Sequence, residues 1–212
     1  MTTQTRFLNV AEICSATHAL GPGLRSVLWV QGCPIGCKGC IAQDWIPMVP
    51  ARQMSLSQAA DQLLTNPEIE GVTFSGGEPM VQAAPLATLI RILRSRKNLH
   101  VICFTGFNYE NLILKSPFPG VQDLLSVLDV LIDGPYIEKE NSGDTFAGSR
   151  NQRILKLSER PDPGDNQWTP RKTELHIRNG SILAVGVPPN HLEKDWIANT
   201  IHPSFERLKE PK

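Results

Sequence analysis

Between residues 26 and 133 the chain alternates short apolar runs with amphipathic ones, and each apolar run ends in a loop marked by glycine or cysteine. SVLWVQ (26–31) predicts a buried strand. SLSQAADQLL (55–64) predicts a helix, with Ser55 or Ser57 as its cap and Leu56, Ala59, Ala60, Leu63 and Leu64 on one face. GVTF then reads as a strand running into Ser75-Gly76-Gly77-Glu78-Pro79. Residues 84–97 read as a helix with a stripe of Leu86, Leu89, Ile90 and Leu93. HVICFTG (100–106) is a strand, 121–128 a helix and DVLID (129–133) a fourth strand. This order predicts an α/β fold with a mainly parallel sheet. In such sheets functional groups gather at the carboxyl ends of the strands. The cysteine loop, the Gly76-Gly77-Glu78-Pro79 loop, Thr105-Gly106 and Asp133-Gly134 all fall at predicted strand ends.

The first of these loops carries the chemistry. Cys33-Pro-Ile-Gly-Cys37-Lys-Gly-Cys40 places three of the chain's five cysteines within eight residues. Five is an odd number, and three so close together make a poor disulfide framework, so the run reads as metal-binding or catalytic. Thiolates are soft ligands that suit iron–sulfur clusters and zinc. Three of them can hold three irons of a 4Fe–4S cubane and leave the fourth iron open to a chelating amine and carboxylate. A zinc site would want a fourth ligand from Cys14, Cys103 or a histidine. Gly32, Pro34, Gly36 and Gly39 suit backbone that wraps tightly around a cluster. The Gly76-Gly77 loop allows close backbone approach to a ligand, and Glu78 adds an acceptor for an ammonium group.

Several classes are excluded or disfavoured. Lys+Arg and Asp+Glu both number 21, so no basic excess points to nucleic acid or an anionic membrane. No apolar run approaches the roughly 20 residues a membrane span needs, and the first residues carry charge where a signal peptide needs its apolar centre. The expectation is a soluble, cytoplasmic protein. Walker-type loops and the GxGxxG fingerprint are absent. Cys103, inside an apolar strand, and Cys14 read as structural, and the five histidines show no ligand spacing.

CxxxCxxC after a first strand resembles the signature of the radical S-adenosylmethionine (SAM) superfamily. GPGLRSVLWVQGCPIGCKGC followed by Trp45 is similar to the activating proteins of anaerobic ribonucleotide reductase, including glycine, at Gly39, before the third cysteine. The resemblance spans roughly residues 20–157 and is strongest at 21–45, 74–80 and 129–155. It implies a partial (βα) barrel, one 4Fe–4S cluster on Cys33, Cys37 and Cys40, and SAM held by Gly76, Gly77, Glu78 and Pro79 with Thr105 and Asp133 nearby. It implies reductive cleavage of SAM to a 5′-deoxyadenosyl radical, an electron from a flavodoxin or ferredoxin, and a glycyl-radical enzyme as partner. Two alternatives stay open: a radical SAM enzyme acting on a small molecule or peptide, and a non-catalytic iron–sulfur or zinc protein.

The resemblance also marks Arg25, which either positions the N-terminal turn or meets an anionic group. It marks Ser149, Asn151, Gln152 and Arg153, read as contacts to SAM or to a partner's glycine loop, or as a capped turn leading into a strand. The stretch between Glu140 and Gly148 reads as a loop that orders when a partner docks. Residues 1–157 form the expected core and 158–172, polar and proline-rich, a linker or surface loop. Residues 173–212 are an appended β-hairpin turning at Asn179-Gly180, then a short helix near 204–209.

Overall fold

The computed structural model describes residues 6–143, 146–164, 168, 171–178 and 181–187. Among these described residues, nine strands and four α-helices follow in the order β1 (Phe7–Thr17), β2 (Arg25–Val30), β3 (Arg52–Ser55), α1 (Leu56–Leu63), β4 (Gly71–Gly76), α2 (Ala83–Arg96), β5 (His100–Phe104), α3 (Tyr109–Lys115), α4 (Val121–Leu125), β6 (Val130–Asp133), β7 (Arg153–Lys156), β8 (Glu174–Arg178) and β9 (Ser181–Val185). The turn expected at Asn179-Gly180 and the helix expected near 204–209 lie outside the described residues.

Seven strands form one sheet in the order β3-β1-β2-β4-β5-β6-β7. Its centre, β2-β4-β5-β6, is parallel throughout. The β1, β3 and β7 edges pair antiparallel. The molecule is thus a mixed α/β protein with a mainly parallel centre, as the alternation of runs predicts. Antiparallel edge strands on a parallel centre are common in large mixed sheets.

Side chains alternate across each central strand, and the two faces have different partners. Leu28, Val30, Val72, Phe74, Val101, Cys103 and Leu131 pack with Leu63 of α1, with Leu86, Leu89, Ile90 and Leu93 of α2, and with Leu124 of α4. The opposite face carries Val27 and Trp29 in one cluster and Ile102, Val130 and Ile132 in another. Helices therefore cover one face and leave the other for a cavity and later chain segments. Capping sets α1 in register: Ser55 accepts from the Gln58 amide, and the Gln58 side chain accepts in return from the Ser55 amide. Such a cap contributes about 1 kcal/mol. Among the described residues no helix is long and apolar enough to cross a membrane.

Two segments depart from a linear reading. Residues 158–164 lie against the amino-terminal edge of the parallel strands. The Asp162 side chain there is buried, accepts from Trp168 Nε1 at 3.0 Å and pairs with Lys156 at 3.0 Å. Phe146 and Ala147, in the stretch expected to order on docking, are buried against Ile102 and Ile132, and Trp168 packs edge-on against Phe146.

Arg25 sits at the start of β2 and is fully buried. Its guanidinium donates to Pro22 O, Val72 O, His100 O and Thr73 Oγ1 at 2.8–3.0 Å. It thus pins the N-terminal turn to β4 and β5. Burial pushes its pKa down to about 9, which Asp129, Asp162 and Glu70 only partly oppose. Arg25→Ala would strand three carbonyls and a hydroxyl. Breaking a buried charged network of this kind costs about 3–5 kcal/mol, and urea denaturation of the variant against the parent chain checks it.

Candidate functional site

Register decides where the site forms. β2 and β4 pair in parallel from Arg25↔Gly71 to Val30↔Gly76, so the loops that follow them leave the sheet side by side. The second loop locks onto the first: Gly77 N donates to Val30 O at 2.7 Å and Glu78 N to Gly32 O at 2.8 Å. A Cβ on Gly77 would stand 2.3 Å from Gly32 O, closer than any real contact, so glycine is needed for the loops to touch. The cysteine loop is closed from its far side by Gly32 N to Trp45 O and Cys33 N to Ile46 O, both 2.9 Å. Within it Gly36 has φ +62° with nothing within 4 Å of a would-be Cβ, so backbone conformation rather than space selects glycine there.

Cys33, Cys37 and Cys40 are free thiols, each half-buried. They line one cavity of about 510 Å³ together with Ser75, Gly76, Gly77, Glu78 and Thr105. That size is in the range of small-molecule and cofactor sites. Of the residues expected around SAM, Pro79 and Asp133 do not line the cavity. Pro79 is buried and opens a 3₁₀ turn (Pro79–Gln82), with Glu78 as its cap. Asp133 is fully buried, accepts from Tyr109 N at 2.7 Å and is held by the Arg153 guanidinium. Cys103 lies in the helix-side core and Cys14 beneath β8–β9, beside His176.

The Ser149–Arg153 segment is largely occupied with its own turn. Ser149 Oγ accepts from Ile137 N and donates to Asn151 Oδ1, Asn151 Nδ2 donates to Pro135 O, and Gln152 Nε2 donates to Gly134 O. It fixes the Gly134-Pro135 bend, and Gln152 alone of its four marked residues reaches the cavity. Sequence reasoning missed Asp44, Tyr136 and Ile35 as lining residues. Tyr136 follows the Asp133-Gly134-Pro135 turn, and its aromatic type was the available signal.

The electrostatics are one-sided. Among the described residues, every ionisable side chain lining the cavity is an acid: Cys33, Cys37, Cys40, Asp44, Glu78 and Tyr136. Burial, and then neighbouring cysteines, pushes the Cys40 thiol up; the Cys37 thiol is raised by burial, with Cys33 and Glu78 adding to it. Burial also pushes Glu78 up to about 7, although its carboxylate accepts from Met80 N, Gly106 N and Thr105 Oγ1. A cavity with acids and no cation among its described lining residues suits a positively charged occupant. Ferrous and ferric irons would supply that charge to the thiolates, and an ammonium or sulfonium would supply it to Glu78. Among the described residues no three such side chains converge on a single metal ion. A cubane distributes its thiolates over separate irons, so the donor set fits a cluster.

Residues 19–155 match the family model described as a 4Fe-4S single cluster domain. The chain belongs to that family. It is 32% identical over 146 residues to the anaerobic ribonucleoside-triphosphate reductase-activating protein of Vibrio cholerae, a match covering 65% of this chain and 91% of that relative. The protein of the same description from Enterobacteria phage T4 is 25% identical over 152 residues, covering 69% and 93%. A pyruvate formate-lyase-activating enzyme of Staphylococcus epidermidis is 37% identical over 146 residues, covering 65% and 57%. Within its family the chain is a radical SAM protein of the activase type, with a 4Fe–4S cluster and SAM as cofactors.

The Glu78 carboxyl is neutral below its pKa of about 7 and charged above it. A cationic ammonium favours the charged form, so SAM affinity is expected to rise between pH 6 and 8. Glu78→Gln should remove that rise and weaken binding about tenfold or more at pH 8, the scale of one hydrogen bond to a charged group. Equilibrium dialysis of labelled SAM against cluster-loaded chain across the pH range checks both effects.

Proposed function

We propose that this chain is a glycyl-radical-enzyme activase whose three cysteines hold the cluster and whose Gly76–Glu78 loop holds SAM. The observation that carries the reading is the cavity, lined by acids and no cation among its described residues, formed where the cysteine loop and the Glu78 loop leave adjacent parallel strands. Together, the bound cluster and SAM would supply one-electron reductive cleavage of the sulfonium to methionine and a 5′-deoxyadenosyl radical able to take a hydrogen atom from a glycine α-carbon of the partner.

Each residue has a part in this. Cys33, Cys37 and Cys40 would hold the cluster through their thiolates, next to the SAM site. Glu78, held rigid by Thr105 and by the Gly106 amide, accepts from the ammonium group. Gly77 keeps the two loops in contact, so cluster and ammonium sites stay at a fixed separation. Asp133 and Pro79 act behind the site, the first by anchoring Arg153 and the second by starting the turn that Glu78 caps. The apolar walls, including Trp29, Ile35 and Phe104, exclude water from a reactive radical.

The partner we infer is a glycyl-radical enzyme such as anaerobic ribonucleotide reductase, because the relatives that match over nine-tenths of their length are activators of that reductase. A flavodoxin or ferredoxin is the expected electron donor, and the cytoplasm the expected compartment, where the five cysteines, none in a disulfide, would stay reduced. The sheet with helices on one face and a cavity on the other supports a partial (βα) barrel. Residues 1–157 would be its core, 158–172 a connection and 173–212 an addition.

The test is anaerobic. Cluster-loaded chain, reductant and SAM are incubated with an anaerobic ribonucleotide reductase, and paramagnetic resonance should then show a glycyl radical on the reductase. The signal should disappear when Cys33, Cys37 or Cys40 is replaced by alanine. SAM cleavage without any protein radical, tried against both ribonucleotide reductase and pyruvate formate-lyase, would contradict the activase assignment.

A further inference from the structure

The family match ends at residue 155, yet the cavity does not. Thr173, Leu183, Ala184, Gly186 and Val187, all on or beside the β8–β9 ribbon, line the same cavity as the three cysteines and Glu78. The ribbon is also seated firmly. Glu174 accepts from Thr17 Oγ1 at 2.6 Å and from His18 N at 2.9 Å, tying β8 to the end of β1. Val185 of β9 is fully buried with Cys14, Leu20, Val27 and Trp29. Ahead of β8, Arg171 donates to Ala147 O, Gly148 O and Asn141 Oδ1. Three separate attachments hold a segment beyond the family core across the open face of the sheet.

We propose that the β8–β9 ribbon is a constitutive wall of the SAM cavity, positioned by Glu174, and that its apolar residues Leu183 and Val187 shape the site and shield it from water. The proposal rests on the SAM-binding reading above. The ribbon lies beyond the matched family segment, residues 19–155. In this chain the cavity is therefore narrowed before any partner arrives, and the partner's segment enters beside the ribbon. Glu174 acts here as a positioning residue, through Thr17 and His18. Leu183 and Val187 act by contact.

Two readouts test it. The first is hydrogen–deuterium exchange on the cluster-free chain, which needs no cofactor. Amides of residues 181–187 should be strongly protected in the parent chain. Glu174→Ala should speed their exchange about tenfold or more, and Glu174→Gln, which keeps an acceptor, should restore most of the protection. The second is SAM binding to cluster-loaded chain by equilibrium dialysis. Leu183→Trp should weaken it about tenfold by filling the cavity, on the scale of overpacking a formed site. Ile177→Trp, on a side chain that is 76% exposed and outside the cavity lining, should leave it within about twofold.

Unprotected 181–187 amides in a parent chain that binds SAM would overturn the ribbon's role and leave the activase reading intact. SAM binding unmoved by Leu183→Trp would do the same. A parent chain with a protected ribbon and no affinity for SAM would instead overturn the reading on which this inference rests.

Discussion

The parallel pairing of β2 with β4 brings two chemically different loops to one place. One carries three thiols and the other a buried carboxyl, and their backbones touch through Gly77 and Gly32. That contact tolerates no side chain. The separation between the sulfur ligands and Glu78 is therefore set by the sheet and not by flexible loops. A reaction in which an electron must pass from a cluster to a sulfonium, and from there to one carbon–hydrogen bond, depends on such fixed placement.

The second constraint is charge. Burial raises the pKa values of acids in this cavity, and for Cys37 and Cys40 neighbouring acids add to it, so they resist ionisation. The raised Cys37, Cys40 and Glu78 are a cost to the fold of holding these groups ionised. Iron and a cationic ligand remove it, so binding strength and specificity for positive occupants have the same origin. The buried Arg25 at the opposite edge of the sheet shows the complementary case. Its charge is retained by hydrogen bonds to carbonyls, and it serves the frame on which the loops are mounted.

Much of this was legible in the sequence because the informative segments are local. The Ser55 cap, the apolar stripe of α2 and the apolar runs of β2, β4, β5 and β6 each carry their own periodicity. The cysteine spacing and Gly-Gly-Glu were readable for the same reason. β1 was not, because its register shifts between Val10 and Glu12 and again between Cys14 and Thr17, which breaks the alternation that marks a strand. β3 and β7 are four-residue edge strands with mostly exposed or half-buried side chains. Asp133 reads in sequence as a site residue at a strand end. Only the fold shows that Arg153, twenty positions later, occupies it. The seating of 158–164 and β8–β9 depends on contacts more than a hundred residues apart in the case of Glu174 with Thr17, which no local pattern can carry.

The central claim is that three thiolates in this cavity hold a cubane whose fourth iron is free to take SAM. Mössbauer spectroscopy of anaerobically reconstituted, iron-57-labelled chain tests it directly. The account predicts four irons per chain in a 4Fe–4S cluster, with one iron changing its isomer shift and quadrupole splitting when SAM is added. Stoichiometric zinc in place of iron, or a cluster in which all four irons ignore SAM, would contradict it.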